Sequence, residues 1–181
     1  MLLEQNLFAG FGGQGTLLMG ELLAQAGMIE GKYVSWLPSY GPEMRGGTAN
    51  CSVVVSDSPI ASPVITQASC VVAMNRPSLD KFEQIIRPGG LLIINSSLID
   101  VKATRSDIDV CYIPANDMAG ELGNAQVANM VVLGAFLEKR PLVEVETILD
   151  ALRQRLGERR AHLVAINQTA LDAGAEIVRQ A

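Results

Sequence analysis

The chain has 181 residues, 49% apolar and 18% charged, with a formal charge of −5; that is enough for one sizeable core, so a single domain over residues 1–181 is expected. The acidic balance and the lack of any basic stripe argue against nucleic-acid or membrane-surface partners. No apolar run reaches the ~18 residues of a membrane helix and the first six residues lack the basic and apolar parts of a secretory leader, so a cytoplasmic location is expected.

Leu7-Phe8-Ala9 is a short apolar strand signal and runs straight into Gly10-Phe11-Gly12-Gly13-Gln14-Gly15. From Gly15 to about Glu30, Leu18, Leu22, Ala26 and Ile29 recur at helical spacing with Met19 and Leu23 beside them, and Gly31 is a natural stop. Tyr33 to Leu37 reads as a second strand. After Pro38 the glycine- and proline-rich stretch Ser39 to Gly47 reads as a long loop. Ala49 to Val55, Cys70 to Ala73, Leu91 to Ile94 and Val110 to Ile113 read as further strands, and the continuous apolar runs among them suit strands covered on both faces. Leu79, Phe82, Ile85 and Ile86 mark a helix closed by Arg87-Pro88-Gly89-Gly90. After Pro114 three helical stripes follow: Met130, Leu133, Gly134 and Leu137; Val145, Ile148, Leu149, Leu152 and Leu156; Leu163, Ile166, Ala170 and Ile177.

Strands before about residue 114 and helices after it predict a three-layer, Rossmann-like α/β domain whose C-terminal helices cover the sheet or reach a partner. Because the strand from Ala49 follows a loop rather than a helix, the sheet is expected to be mostly parallel or mixed.

Cys51, Cys70 and Cys111 are odd in number and far apart, which leaves neither a disulfide framework nor a cluster motif, and all three read as small buried hydrophobes. The lone histidine, His162, reads as a surface or packing residue, and the basic run from Arg153 to Arg160, interrupted by Glu158, as a solvated helix end and turn. No nucleophile–base pair is apparent, so no catalytic residue is assigned.

Gly10-x-Gly12-x-x-Gly15 between a strand and a helix has the dinucleotide-binding spacing, in which glycines let the backbone approach a phosphate and the helix amides point at it. Nicotinamide-nucleotide binding also needs an acid at the end of the second strand, and Tyr33 to Ser39 has none. A packing-only turn is the other alternative, against which Gln14 offers an amide for a ligand or a partner backbone. In Tyr40-Gly41-Pro42-Glu43-Met44-Arg45-Gly46-Gly47-Thr48, Arg45 is a fork for phosphate or carboxylate, Gly46 and Gly47 give access, and Glu43 is placed to orient Arg45. A structured surface loop with Arg45 paired to an acid is the alternative.

With these two stretches, continuing through Ala49-Asn50-Cys51 to Pro59-Ile60, Asn75-Arg76-Pro77-Ser78 and Gly89-Gly90, the sequence resembles the gamma subunit of 2-oxoacid:ferredoxin oxidoreductases. The resemblance implies a hetero-oligomeric enzyme that converts a 2-oxoacid and coenzyme A to acyl-CoA and carbon dioxide and reduces ferredoxin. It places thiamine diphosphate, magnesium and iron–sulfur clusters on alpha, beta and ferredoxin-like delta partners, and the coenzyme A side on this chain. The Pro42 to Thr48 form looks most like subunits for 2-oxoglutarate or a broad range of 2-oxoacids. The expected coenzyme A-contacting residues are then Gly10, Gly12, Gly13, Gln14, Gly15, Tyr40, Arg45, Gly46 and Gly47.

Overall fold

The structure is a computed structural model, in which residues 2–39 and 48–180 are described. Among the described residues six strands form one sheet: β1 (Leu3–Phe11), β2 (Tyr33–Ser39), β3 (Thr48–Ser56), β4 (Ala68–Ala73), β5 (Ile86–Asn95) and β6 (Asp109–Ile113). The helices are α1 (Thr16–Ile29), α2 (Arg76–Phe82), α3 (Ala115–Glu121), α4 (Ala128–Lys139), α5 (Val145–Leu156) and α6 (Leu163–Arg179). The sheet order is β2-β3-β1-β4-β5-β6. β1, β4, β5 and β6 run parallel, while β3 is antiparallel to both of its neighbours, so the sheet is mixed as expected.

Alternation along the strands sorts the side chains. Phe8, Val53, Val72 and Ile93 face α1 and the C-terminal helices, and Leu7, Val71, Leu92 and Ile94 face α2 and Ile99. The inner strands are thus covered on both sides, which is why their sequences read as unbroken apolar runs. Phe8 meets Phe136 of α4 edge to face, with ring centroids 5.4 Å apart, fixing that helix over β1.

Three local readings are corrected. The helix after Asn75 ends at Phe82 and passes through a 3-10 turn at Glu83–Ile85. Ile86 then already belongs to β5, so Arg87 to Gly90 lie in the strand rather than closing the helix: Ile86 pairs with Ala68, and Gly89 donates its N–H to the Asp107 carbonyl at 2.8 Å. α3 was not anticipated from the sequence. Ile29, placed on the apolar stripe of α1, is 51% exposed, because the helix is already ending: Gly31 turns left-handed at φ 75° and returns its N–H to Met28.

α4 is buried from Ala128 to Leu137, all the way round. A helix apolar on every face sits inside a fold, and here α6 lies across it: Gly134 abuts the backbone of Leu171, and Gly174 abuts the backbone of Val131. Among the described residues no helix is long and apolar enough to cross a membrane.

Candidate functional site: the glycine turn

β1 ends at Phe11, and α1 begins after Gly15, which is left-handed at φ 76°, ψ 16°. Gly13 is also at positive φ, 95°. Among the described residues no side chain caps α1, and its first turn carries no acid. The first-turn amides therefore have no described side-chain partner, and such a positive end suits an anion.

The turn itself is held by Gln14. Its Oε1 accepts from the Phe11 N–H at 2.6 Å, and its Nε2 donates to the Met74 carbonyl at 3.1 Å. Asn75, which caps α2 by accepting from the Ser78 N–H at 2.9 Å, donates to the same Gln14 oxygen at 3.5 Å. The Gln14 amide offered by the sequence to a ligand is thus committed inside the chain, tying the turn to the end of β4. Gly10 is needed for this: a Cβ there would stand 2.6 Å from the Gln14 oxygen and 2.9 Å from the Met74 Cβ.

Two cavities flank the turn. One, of about 280 Å³, is lined by Gly12, Gly13, Thr16, Leu17, Ala49 and Arg155. Arg155, in the last turn of α5, pairs with Glu21 at 2.7 Å and is half exposed. It brings a cation to the positive end of α1. The sequence showed it only as part of a solvated basic run, and no local pattern links it to the turn. The other cavity, of about 110 Å³, lies between Gly13, Met74, Asn116, Gln126 and Asn129.

Tyr40, Glu43, Arg45, Gly46 and Gly47 lie outside the described residues. Their segment leaves β2 after Ser39 and enters β3 at Thr48; Thr48 is registered with Phe11, and Ser39 with Asn50, which is registered with Ala9. Both described ends of the segment therefore stand at the sheet end that carries the glycine turn.

The order β2-β3-β1 also bears on the nicotinamide alternative. In the dinucleotide fold β2 adjoins β1, so that the acid at its end reaches the ribose. Here β3 separates them, moving the end of β2 to about 10 Å from β1, two strand spacings away, and β2 ends in Leu37-Pro38-Ser39 without a carboxylate.

None of the cysteines is an ionised nucleophile. Burial pushes the Cys51 thiol up to about 12, and burial also raises Cys70 and Cys111. Cys51 and Cys70 are fully buried as expected, whereas Cys111 on the edge strand β6 is only partly so. His162 is exposed before α6. Among the described residues no group of three or more His, Cys, Asp or Glu side chains could hold a metal ion.

Residues 5–177 match the family model described as pyruvate ferredoxin/flavodoxin oxidoreductase. The ketoisovalerate oxidoreductase subunit VorA of Methanothermobacter marburgensis is 38% identical over 173 residues, which are 95% of this chain but 36% of that one. The chain therefore spans about a third of the length of that relative. The crystal structure of the gamma subunit of a keto/oxoacid ferredoxin oxidoreductase from Geobacter sulfurreducens superposes with a TM-score of 0.83 at 29% identity, covering 98% of this chain and 99% of that one. A 2-oxoglutarate:ferredoxin oxidoreductase from Magnetococcus marinus, solved with 2-oxoglutarate, coenzyme A and succinyl-CoA bound, shares the fold with a TM-score of 0.91 at 22% identity, covering 100% of this chain and 32% of that one.

Proposed function

Since the chain belongs to the pyruvate ferredoxin/flavodoxin oxidoreductase family, as a subunit of the gamma type, we propose that it serves the coenzyme A side of a 2-oxoacid:ferredoxin oxidoreductase. The complex cleaves carbon dioxide from a 2-oxoacid, 2-oxoglutarate or a broader set, transfers the acyl group to coenzyme A and passes two electrons to ferredoxin. The observation that carries this reading is the glycine turn: a helix end that no described side chain caps, free of first-turn acids, with Arg155 on the same cavity.

Coenzyme A is strongly anionic and the chain is acidic overall, so attraction has to be local. The first-turn amides of α1 and the Arg155 guanidinium supply it, both being donors suited to phosphate oxygens. Gly12 and Gly13, both exposed, leave the backbone open to approach, while Gly10 and Gln14 hold the turn in shape. Arg45, with Tyr40, Gly46 and Gly47, is proposed to complete the phosphate site from the segment whose described ends flank the turn.

Thiamine diphosphate, magnesium and the iron–sulfur clusters are assigned to alpha, beta and delta partners. A relative nearly three times as long supports the idea that this domain works against a larger polypeptide.

The test is kinetic. In the assembled complex, Arg155→Gln is expected to raise the Michaelis constant for coenzyme A about 10- to 100-fold, as a lost charged hydrogen bond of roughly 1.5–3 kcal/mol would. Turnover at saturation and subunit assembly on a sizing column should be unchanged. An unaltered Michaelis constant would remove Arg155 from the site. Dissociation of the complex instead would make the turn a docking surface.

A further inference from the structure

Among the described residues the sheet ends on one side in β2, with no strand beyond it. Edge strands are usually blunted by charged side chains, bulges or proline, because a bare row of backbone N–H and C=O groups can pair with another strand. β2 carries little of this protection. Tyr33 to Leu37 contains no charged residue, the register with β3 runs from Tyr33 to Ser39 without a bulge, and Pro38 stands near the far end. The other edge differs: β6 has five residues against seven, begins at Asp109, and its Tyr112 hydroxyl accepts from the Ala103 N–H at 3.0 Å. Tyr33, Trp36 and Leu37 are 49%, 36% and 44% exposed. Val34 and Trp36 lie on the α1 side of the sheet, against Gly27 and Gly20, so Tyr33, Ser35 and Leu37 take the opposite face. On the flank of β2 a groove of about 400 Å³ runs between Tyr33, Val34 and Ser35 and the wall of Pro59, Ile60 and Pro63, with no charged residue lining it.

We propose that β2 is a self-pairing edge that joins two copies of the chain in antiparallel register about a two-fold axis at Ser35. The strand is self-complementary in that register. Tyr33 falls opposite Leu37 of the second copy, Val34 opposite its Trp36, and Ser35 opposite Ser35. Aromatic side chains thus meet aliphatic or β-branched ones on both faces, the pairs that stabilise neighbouring strands, and the small serines meet at the axis. Leu37 of the second copy arrives beside Tyr33, at the apolar groove walled by Ile60 and the two prolines. Pro38, which has no N–H to give, falls opposite Lys32, outside the paired stretch. Charge points to the same occupant. A chain of formal charge −5 repels its own copy, so two copies meet closely only where charge is lacking, and from Tyr33 to Leu37 no charged side chain faces another. The antiparallel arrangement leaves the two glycine turns at opposite ends of the joined sheet, because β2 runs parallel to β1 within each copy. The pairing is independent of what the turn binds.

Sedimentation equilibrium of the full chain, with the emission of its single tryptophan, Trp36, followed over the same dilution series, tests the pairing. A dimer is expected to form between about 1 and 100 μM, as suits a small interface, and the emission should shift to shorter wavelength as Trp36 is covered. Ser35→Lys sets two ammonium groups face to face at the axis and should weaken the dimer at least tenfold with the melting temperature unchanged. Ser35→Cys should form an intermolecular disulfide under mild oxidation, since Cα atoms facing each other across paired strands are about 4.5–5.5 Å apart, a distance that a disulfide spans. Ser39→Cys should not, because four residues from the axis on each strand put the two thiols about 26 Å apart. These cysteines are close to serine in size, so they read the register without disturbing the fold. A chain that stays monomeric up to about 100 μM, a dimer that Ser35→Lys leaves unchanged, or Ser39→Cys cross-linking as readily as Ser35→Cys would overturn the proposal. Hydrogen-exchange protection of the β2 amides that appears only on adding the other subunits, in a chain that is otherwise monomeric, would overturn it in favour of a strand from a partner subunit.

Discussion

Replacing either Gly134 or Gly174 by alanine is expected to lower the unfolding free energy by about 3 kcal/mol or more. Overpacking a core costs typically 1–3 kcal/mol when side chains can move aside. Here the obstruction is backbone. A Cβ on Gly134 would overlap the Leu171 carbonyl oxygen, and one on Gly174 the Val131 carbonyl oxygen, far inside van der Waals contact. The helices must separate to admit it, opening the seam formed by Val131, Ala135, Ala170 and Leu171, all buried. The roughly 1 kcal/mol by which alanine exceeds glycine in helix propensity does not offset this. Urea unfolding measures the loss. Because both glycines serve one seam, the double variant should lose less than the sum of the single losses. A loss below 1 kcal/mol for either single variant would mean that α4 and α6 do not pack this closely.

At the functional turn, Gly15→Ala is expected to cost about 2–3 kcal/mol of stability, and Gly13→Ala only about 1 kcal/mol. Both positions are left-handed, which disfavours any residue with a Cβ by about 1–2 kcal/mol. They differ in what surrounds them. A methyl on Gly13 meets nothing within 4 Å, whereas one on Gly15 would strike the Asn129 carboxamide, 2.7 Å from its Cγ. Asn129 must then leave the place from which it lines the second cavity. Thermal or urea unfolding of Gly15→Ala, Asn129→Ala and the double variant separates the two costs. Removing the Asn129 side chain should restore the steric part and leave the conformational part. Equal stabilities for Gly13→Ala and Gly15→Ala would show that the Asn129 contact is not made.

The sequence displayed what is periodic or local. Unbroken apolar runs such as Leu91 to Ile94 announced buried strands, three helical stripes announced α4, α5 and α6, and the glycine run announced a strand–turn–helix. Gly134 was visible on its stripe, but Gly174 was not, because close approach of two helices leaves no periodic trace on one of them. The placement of β3 between β1 and β2 follows from long-range pairing, which no local pattern encodes. Gln14 was recognised as significant but for a different partner: only the fold brings the Met74 carbonyl within its reach. Arg155, Asn116 and Asn129 were silent for the same reason. A single arginine or asparagine has no signature until the chain folds it against a turn far away in sequence.

The central claim is that this chain supplies the coenzyme A side of the oxidoreductase. Ferredoxin reduction driven by a 2-oxoacid is measured for the partner chains with and without it, as a function of coenzyme A concentration. The account predicts coenzyme A-dependent turnover only when this chain is present. Full coenzyme A-dependent turnover from the partners alone, with an unchanged Michaelis constant, would contradict it.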